Sequence, residues 1–244
     1  MFYSLYPDLI KTKQEIYSDT FIYKAPEGAI IMLVEPRSIM PDVYEYVENN
    51  IYKFQLIYTF DSKLLQYQNT KLLIYGVVDA WSNDIKTKTV SMVCSNKDYC
   101  DGHFKRREIA MKLKGKIDTY GRFDSGDFAN IYDIYSPYMF NIAIENYKDG
   151  YYFTEKICNC FANKTIPIYY GSEHINEFFN PDGIIIIKDL KEFYNDIDWI
   201  DWFNTQRFKD EYYKRMDAVL DNYERVKQFA DFNETFHRMY GGDA

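Results

Sequence analysis

Hydrophobic and polar positions alternate along the chain in two regimes. In the first third, short apolar runs stand between polar stretches, at Ala29–Val34 (AIIMLV), Phe54–Phe60 (FQLIYTF) and Lys71–Val78 (KLLIYGVV). Each has the length of a buried strand, and the first ends at Glu35-Pro36, where the residue before proline is driven to extended backbone. Met40–Asn50 reads as a short helix opening near Pro41, a residue suited to a first helical turn. Trp81–Lys88 (WSNDIKTK) is polar and without period, and is expected to link two lobes. Beyond it the alternation is regular. Strands are predicted at Val90–Cys94, Lys116–Tyr120, Met139–Ile144, Thr165–Tyr170 and Gly183–Lys188, and helices at Phe104–Lys114, Phe153–Asn163, near Ile175–Phe179 and from Asp189. Strands separated by helices of about ten residues imply βαβ units and a mostly parallel α/β sheet. Such a sheet binds ligands beyond the carboxyl ends of its strands, where strand order switches. Ser95–Gly102 and Glu145–Tyr152 leave two such strand ends and are the loops expected to carry chemistry. In the tail, Phe208, Tyr212, Met216, Val219, Tyr223, Val226 and Ala230 step by three and four, an amphipathic helix packed on the sheet or between lobes.

Composition narrows the class. The chain has 244 residues, 47% of them apolar, enough for a sizeable core in one large domain or two small ones. With 29 Lys and Arg against 37 Asp and Glu the net charge is −8, which argues against a nucleic-acid partner, since that binding runs on clustered cations. The longest clean apolar run, Ala29–Val34, falls far short of the roughly 18 residues of a membrane span. The opening MFYSLYPDLIKTKQ lacks the order of a signal peptide, and four cysteines are too few for a disulfide scaffold. A soluble, cytoplasmic protein is the expectation. Aromatic residues reach 19%, which AT-rich codon usage explains more readily than a sugar-stacking cleft does. No metal site is expected. His103, His174 and His237 show no helical pairing, Cys158 and Cys160 stand at non-facing helix positions, and Asp196-Ile-Asp198 falls in a predicted helix.

The segment Glu145 to Lys156 (ENYKDGYYFTEK) joins a buried strand to a helix. Gly150 gives backbone freedom, and Thr154 is placed to cap the helix, whose free N–H groups would face an anion above the sheet. Lys156 falls in the first turn, where a cation is disfavoured unless an anion accompanies it. The competing reading is an ordinary helix start with a solvated lysine.

The stretch FNIAIENYKDGYYFTEKICNCFANKTIPIYYGSEHINEFFNPDGIIIIKDL resembles the signature of the α-1,3-fucosyltransferases, glycosyltransferase family 10, at Phe140, Glu145, Asn146, Tyr152, Thr154, Glu155, Lys156, Pro167 and Gly171. The similarity runs from about Val90 to Leu190. VSMVCSN resembles the family's strand ending in Ser-Asn, KIDTYGR its next strand, and the intervening helix arginine, counted back from Leu113, is Arg106. The resemblance implies a two-lobed, GT-B type glycosyltransferase with Rossmann-like lobes, the N-terminal one short. Residues 1–85 would form the acceptor-side lobe, 86–200 the GDP-sugar-binding lobe and 201–244 a helical tail. It further implies a GDP-fucose or related GDP-sugar donor, a glycan acceptor and no metal. A lipid-linked acceptor met by peripheral membrane association fits the same reading. By the resemblance Arg106 and Lys156 neutralise the donor diphosphate, Thr154 belongs to the donor-binding helix start, and Asn146, Tyr152 and Glu155 contact sugar or ribose hydroxyls. An inverting transfer needs a base. LVEPRS places Glu35 where animal members carry a Glu-Ser-Pro, and FQLIYTFDS makes Asp61 its rival. A surface pairing of Glu35 with Arg37 is the plainer alternative for that residue. For the whole chain, the alternative is a non-catalytic nucleotide-sugar or glycan-binding relic of such a transferase.

Overall fold

Two parallel sheets organise the chain, which is described by a computed structural model over residues 16–124, 126, 129–196 and 206–241. The first sheet holds Ile16–Ser18 (β1), Ile30–Met32 (β2), Leu56–Thr59 (β3) and Thr70–Leu72 (β4) in that order, every pair parallel. Helix α1 (Pro41–Asn49) covers one face, burying Val43, Tyr44 and Val47 against Ile31, Leu33 and Ile57.

The second sheet is built from Lys88–Val93 (β5), Asp118–Tyr120 (β6), Tyr138–Ile144 (β7), Ile166–Tyr170 (β8) and Ile185–Ile186 (β9), in the order β6-β5-β7-β8-β9 and again all parallel. Helices α2 (Asp101–Leu113), α3 (Ile131–Tyr135), α4 (Glu155–Ala162) and α5 (Leu190–Asn195) connect or follow these strands. Central β7 is buried at all seven positions, as a strand covered on both faces must be. Its one polar residue, Asn141, is satisfied by donating to Ser91 Oγ at 2.8 Å. Chain order reverses between β5 and β7, because β6 is laid down on the far side of β5. That is the switch point of this sheet.

Several elements differ from the sequence reading. Hydrogen-bonded pairing is shorter than the apolar runs, most of all in Lys71–Val78, where the ladder ends at Leu72, and in Gly183–Lys188, where two residues pair. Apolar runs report burial: Leu73 and Ile74 are buried past the end of the strand, with only the Leu73 N–H still reaching the Thr59 carbonyl at 2.8 Å. Near Ile175 a single 3-10 turn, Ile175–Glu177, stands where a helix was expected. Strand β1 and helix α3 carry three and five residues, too few to show a period. The tail stripe, Phe208 to Ala230, runs over two helices rather than one, α6 (Gln206–Lys214) and α7 (Met216–Val226), and a third, α8 (Phe232–Tyr240), follows it. Arg215 breaks the first junction, leaving helical geometry to donate to the Asp182 carbonyl at 2.6 Å. The breaks let the apolar residues of the tail serve three surfaces. Phe208, Tyr212 and Val219 pack in the core under β7, Val226 and Phe229 beside α4, and Phe232 and Phe236 against Met32, Val34, Tyr58 and Phe60 of the first sheet.

The polar link is anchored by Lys86, whose Nζ donates to the carbonyls of Tyr135, Ser136 and Asn163 and to Thr165 Oγ1. Carbonyls at the ends of α3 and α4 suit a cation, although burial pulls the Lys86 ammonium down to about 7. Among the described residues no helix is long and apolar enough to cross a membrane. Asp198 of the Asp196-Ile-Asp198 pair lies outside the described residues.

Candidate functional site

The loops leaving β5 and β7 part at the switch point and open a cavity of about 390 Å³ facing the first sheet. Arg106 reaches it from α2, Asn146 from the loop after β7, Tyr152, Thr154, Glu155 and Lys156 from the start of α4, and Glu35 from the far lobe. Residues spread over more than a hundred positions thus share one cleft.

Arg106 lies on the inward face of α2 with Ile109, Ala110 and Leu113, whereas Arg107 turns outward onto the Asn96 and Lys97 carbonyls. The Arg106 guanidinium is buried and donates to Asn146 Oδ1 at 2.7 Å and to the Ile144 carbonyl at 3.1 Å. Its Nε is buried without a hydrogen-bond partner among the described residues. Gly102, in the first turn of α2, makes this approach feasible, since a Cβ there would collide with the Asn146 carbonyl.

At the start of α4, Thr154 Oγ1 accepts from the Lys156 N–H at 3.4 Å as helix cap. Behind it Glu145, wholly buried, accepts from the Thr154 N–H at 2.9 Å and from its hydroxyl at 2.8 Å. Lys156 Nζ donates to Thr154 Oγ1 at 2.9 Å and lies 3.0 Å from Glu155 and 3.2 Å from Glu145. Burial opposes the ammonium, but the two carboxylates outweigh it and hold Lys156 above its ordinary pKa. Burial likewise works against ionised Glu155, and Lys156 more than offsets it, leaving that carboxyl low. Glu145 stays above its usual range because burial exceeds the help from Lys156. The result is an anion-ready corner with a capped helix start and two cations from separate elements. Tyr152 is buried beside it, its ring 4.7 Å from Phe60 of the first lobe.

Glu35 follows β2, is half-buried, and lines the cleft opposite this corner. Burial pushes its carboxyl up, Asp19 and Glu155 add to the rise, and Lys97 and Lys156 oppose it. Arg37 does not pair with it. That guanidinium makes a bidentate contact to buried Asp61 at 2.9 and 3.0 Å and a further one to Glu48 at 2.8 Å. Asp61 also accepts from the Leu64 N–H at 3.0 Å and is not among the residues lining the cavity. Its carboxylate is committed to holding the loop after β3.

Three features escaped the sequence reading. Lys97 lines the cavity as a further cation, and its place in the Ser95–Gly102 loop was the available signal. His103 also lines it, and is held at about 4 by burial and by the charges of Arg106, Lys97 and Lys156. The neutral ring meets Cys100 Sγ at 3.3 Å. Asp149 bridges the lobes, accepting from the Ser62 N–H at 3.1 Å and its hydroxyl at 2.5 Å, while Gly150 leaves room for that hydroxyl.

Two parallel-sheeted, Rossmann-like lobes facing across a cleft define a GT-B architecture. The fold is similar to that of an α1,3-fucosyltransferase crystallised with GDP-fucose, with a TM-score of 0.50 at 17% identity over 84% of this chain and 78% of that one. Residues 83–234 match the family model of glycosyltransferase family 10 (fucosyltransferase), C-terminal region, and the chain belongs to that family. The α-(1,3)-fucosyltransferase FucT of Helicobacter pylori is 39% identical over 72 residues, which is 30% of this chain and 15% of that protein. The matched stretch is thus well under two thirds of that relative's own length.

Proposed function

We propose that the chain is an inverting fucosyltransferase that moves L-fucose from a GDP donor to a glycan hydroxyl. The observation that carries this reading is the convergence of Arg106, Lys156 and Glu35 on one cleft, cations on the sheet side and a carboxylate opposite. In the proposed step the acceptor oxygen attacks the anomeric carbon, forming the new glycosidic bond as the bond to the β-phosphate oxygen breaks. The acceptor proton passes to Glu35, and the electron pair leaves on GDP. Negative charge then grows on the diphosphate, where Arg106, Lys156 and the capped start of α4 are already aimed, so little reorganisation is needed. Asn146, Tyr152 and Glu155 would line the sugar and ribose. A base working near neutrality needs a raised carboxyl pKa, and burial supplies that at Glu35.

The test is paired. GDP is expected to raise the melting temperature more than UDP does, and equal stabilisation would remove the guanine donor. With GDP-fucose and a lactosamine-type acceptor, Glu35→Gln should keep donor binding and lose about 10²–10⁴-fold in transfer rate. Asp61→Asn should lower stability, since it breaks the Arg37 contact, with the chemistry retained. If instead Asp61→Asn removes transfer at full stability and Glu35→Gln does not, the base is Asp61.

A further inference from the structure

Strand pairing ends at Met32 in β2, and Leu33 still reaches the Tyr58 carbonyl at 2.9 Å. The next two N–H groups, of Val34 and Glu35, lie past the ladder and require acceptors. Both are taken by one carboxylate oxygen. Asp19 Oδ1 accepts from the Val34 N–H at 3.1 Å and from the Glu35 N–H at 3.2 Å. Asp19 stands directly after β1, the strand beside β2, and reaches this position with φ at +48°. That left-handed backbone costs an L-residue energy, although Asp and Asn tolerate it best. On the other side of the same residue, the buried Tyr44 hydroxyl donates to the Glu35 carbonyl at 3.0 Å, and Pro36 follows. The Glu35 backbone is therefore held at its N–H, its carbonyl and its exit.

We infer that Asp19 is a positioning residue for Glu35, using a strained turn to hold that residue's peptide at the cleft edge and to place a second negative charge beside its carboxylate. The inference rests on the reading of Glu35 as base. The charged groups facing Glu35 are Asp19 from its own lobe, and Lys97, Lys156 and Glu155 from the other, with the Tyr152 phenol alongside. Asp19 and Glu155 favour the protonated carboxyl, and the two lysines oppose them. Removing the Asp19 charge tips this balance toward the carboxylate, so the Glu35 titration moves to lower pH.

Two variants separate charge from anchoring. Asp19→Asn keeps an oxygen acceptor and drops the charge, and Asp19→Ala drops both. The Glu35 side-chain carboxyl carbon is titrated by NMR, its signal assigned by its absence in Glu35→Gln, and amide hydrogen exchange is followed at Val34 and Glu35. In Asp19→Asn the Glu35 midpoint should fall, carrying the acid limb of the transfer profile with it, while both amides stay protected. In Asp19→Ala that protection should be lost, with transfer down by about 10²-fold, the scale of a misplaced reacting group. An unmoved midpoint in Asp19→Asn overturns the inference, as do amides equally protected in Asp19→Ala. Should Asp19→Ala fail to fold, the Asp19→Asn midpoint decides. Failure of the underlying reading shows separately, as full transfer by Glu35→Gln.

Discussion

Lys156 serves two masters at the residue scale. Its ammonium faces the cleft, yet it also neutralises Glu145, a carboxylate with no exposed surface. Among the described residues Arg106 pairs with no carboxylate, and it donates to an amide oxygen and a carbonyl. Their alanine variants should therefore part company. Each is expected to weaken GDP binding by about 1.5–3 kcal/mol, the worth of a charge-assisted contact. Lys156→Ala should in addition lose about 3–5 kcal/mol of stability, because it strands a buried charge. Adding Glu145→Gln to Lys156→Ala should recover most of that stability and none of the binding. Calorimetric titration with GDP and urea unfolding on the same proteins check this. Unchanged GDP binding in both single variants would move the diphosphate site elsewhere.

Between elements, the decisive contact is that of α2 with the loop after β7. Arg106 is correctly aimed because the first turn of the helix touches the backbone of Asn146, and Gly102 permits that touch. Gly102→Ala is expected to push the helix start off the loop and break the 2.7 Å bond from Arg106 to Asn146. GDP affinity should fall roughly as far as in Arg106→Ala. Exposed Gly115 is the control, with open space where a side chain would go but a φ of +80°. Gly115→Ala should cost stability and leave GDP affinity unchanged. Equal GDP affinity in Gly102→Ala and the parent would show that the helix start is free to shift. Much at this scale is legible in sequence. The all-buried β7 shows as an apolar run interrupted by Asn141, and stepping back by three or four from Leu113 reaches Ile109 and Arg106 on one helix face.

For the whole molecule, two further ties among the described residues join the Phe60–Tyr152 ring contact in holding the lobes in register. Helix α8 returns to the first sheet, where Phe236 meets Tyr58 with ring centroids 4.8 Å apart and the Tyr240 hydroxyl donates to the Leu72 carbonyl. Near the cleft, Asp149 clasps Ser62, and this second tie joins the loop carrying the helix start to the loop after β3. Ser62→Ala removes the hydroxyl from that clasp without touching the cations. It should leave GDP affinity near the parent value and lower the transfer rate, because in the proposed reaction the base and the cations come from different lobes while the diphosphate contacts come from one. Comparable losses in both measurements would make the clasp part of the donor site.

The order of residues alone carries the periodicities, and those sufficed for the parallel α/β class, for the loops expected to bear chemistry and for the helix start at Thr154. It also carries the Thr-Glu-Lys and Asn146 signature, since those residues stand within one short segment. Long-range choices were closed to it. Glu35 and Asp61 both follow apolar runs, and only packing shows that Asp61 is tied up with Arg37 while Glu35 is left facing the cavity. Asp19 carries no periodic signal, because its role depends on two strands lying side by side. Glu145 matches the family pattern, but a sequence does not reveal that its carboxylate is wholly buried against Lys156. The tail stripe fixed which residues are apolar but not which surface each one meets, since helix breaks of one or a few residues redirect the chain across two sheets. Local periodicity is a property of neighbouring residues, whereas the environment of a carboxylate is set by whatever the fold brings against it.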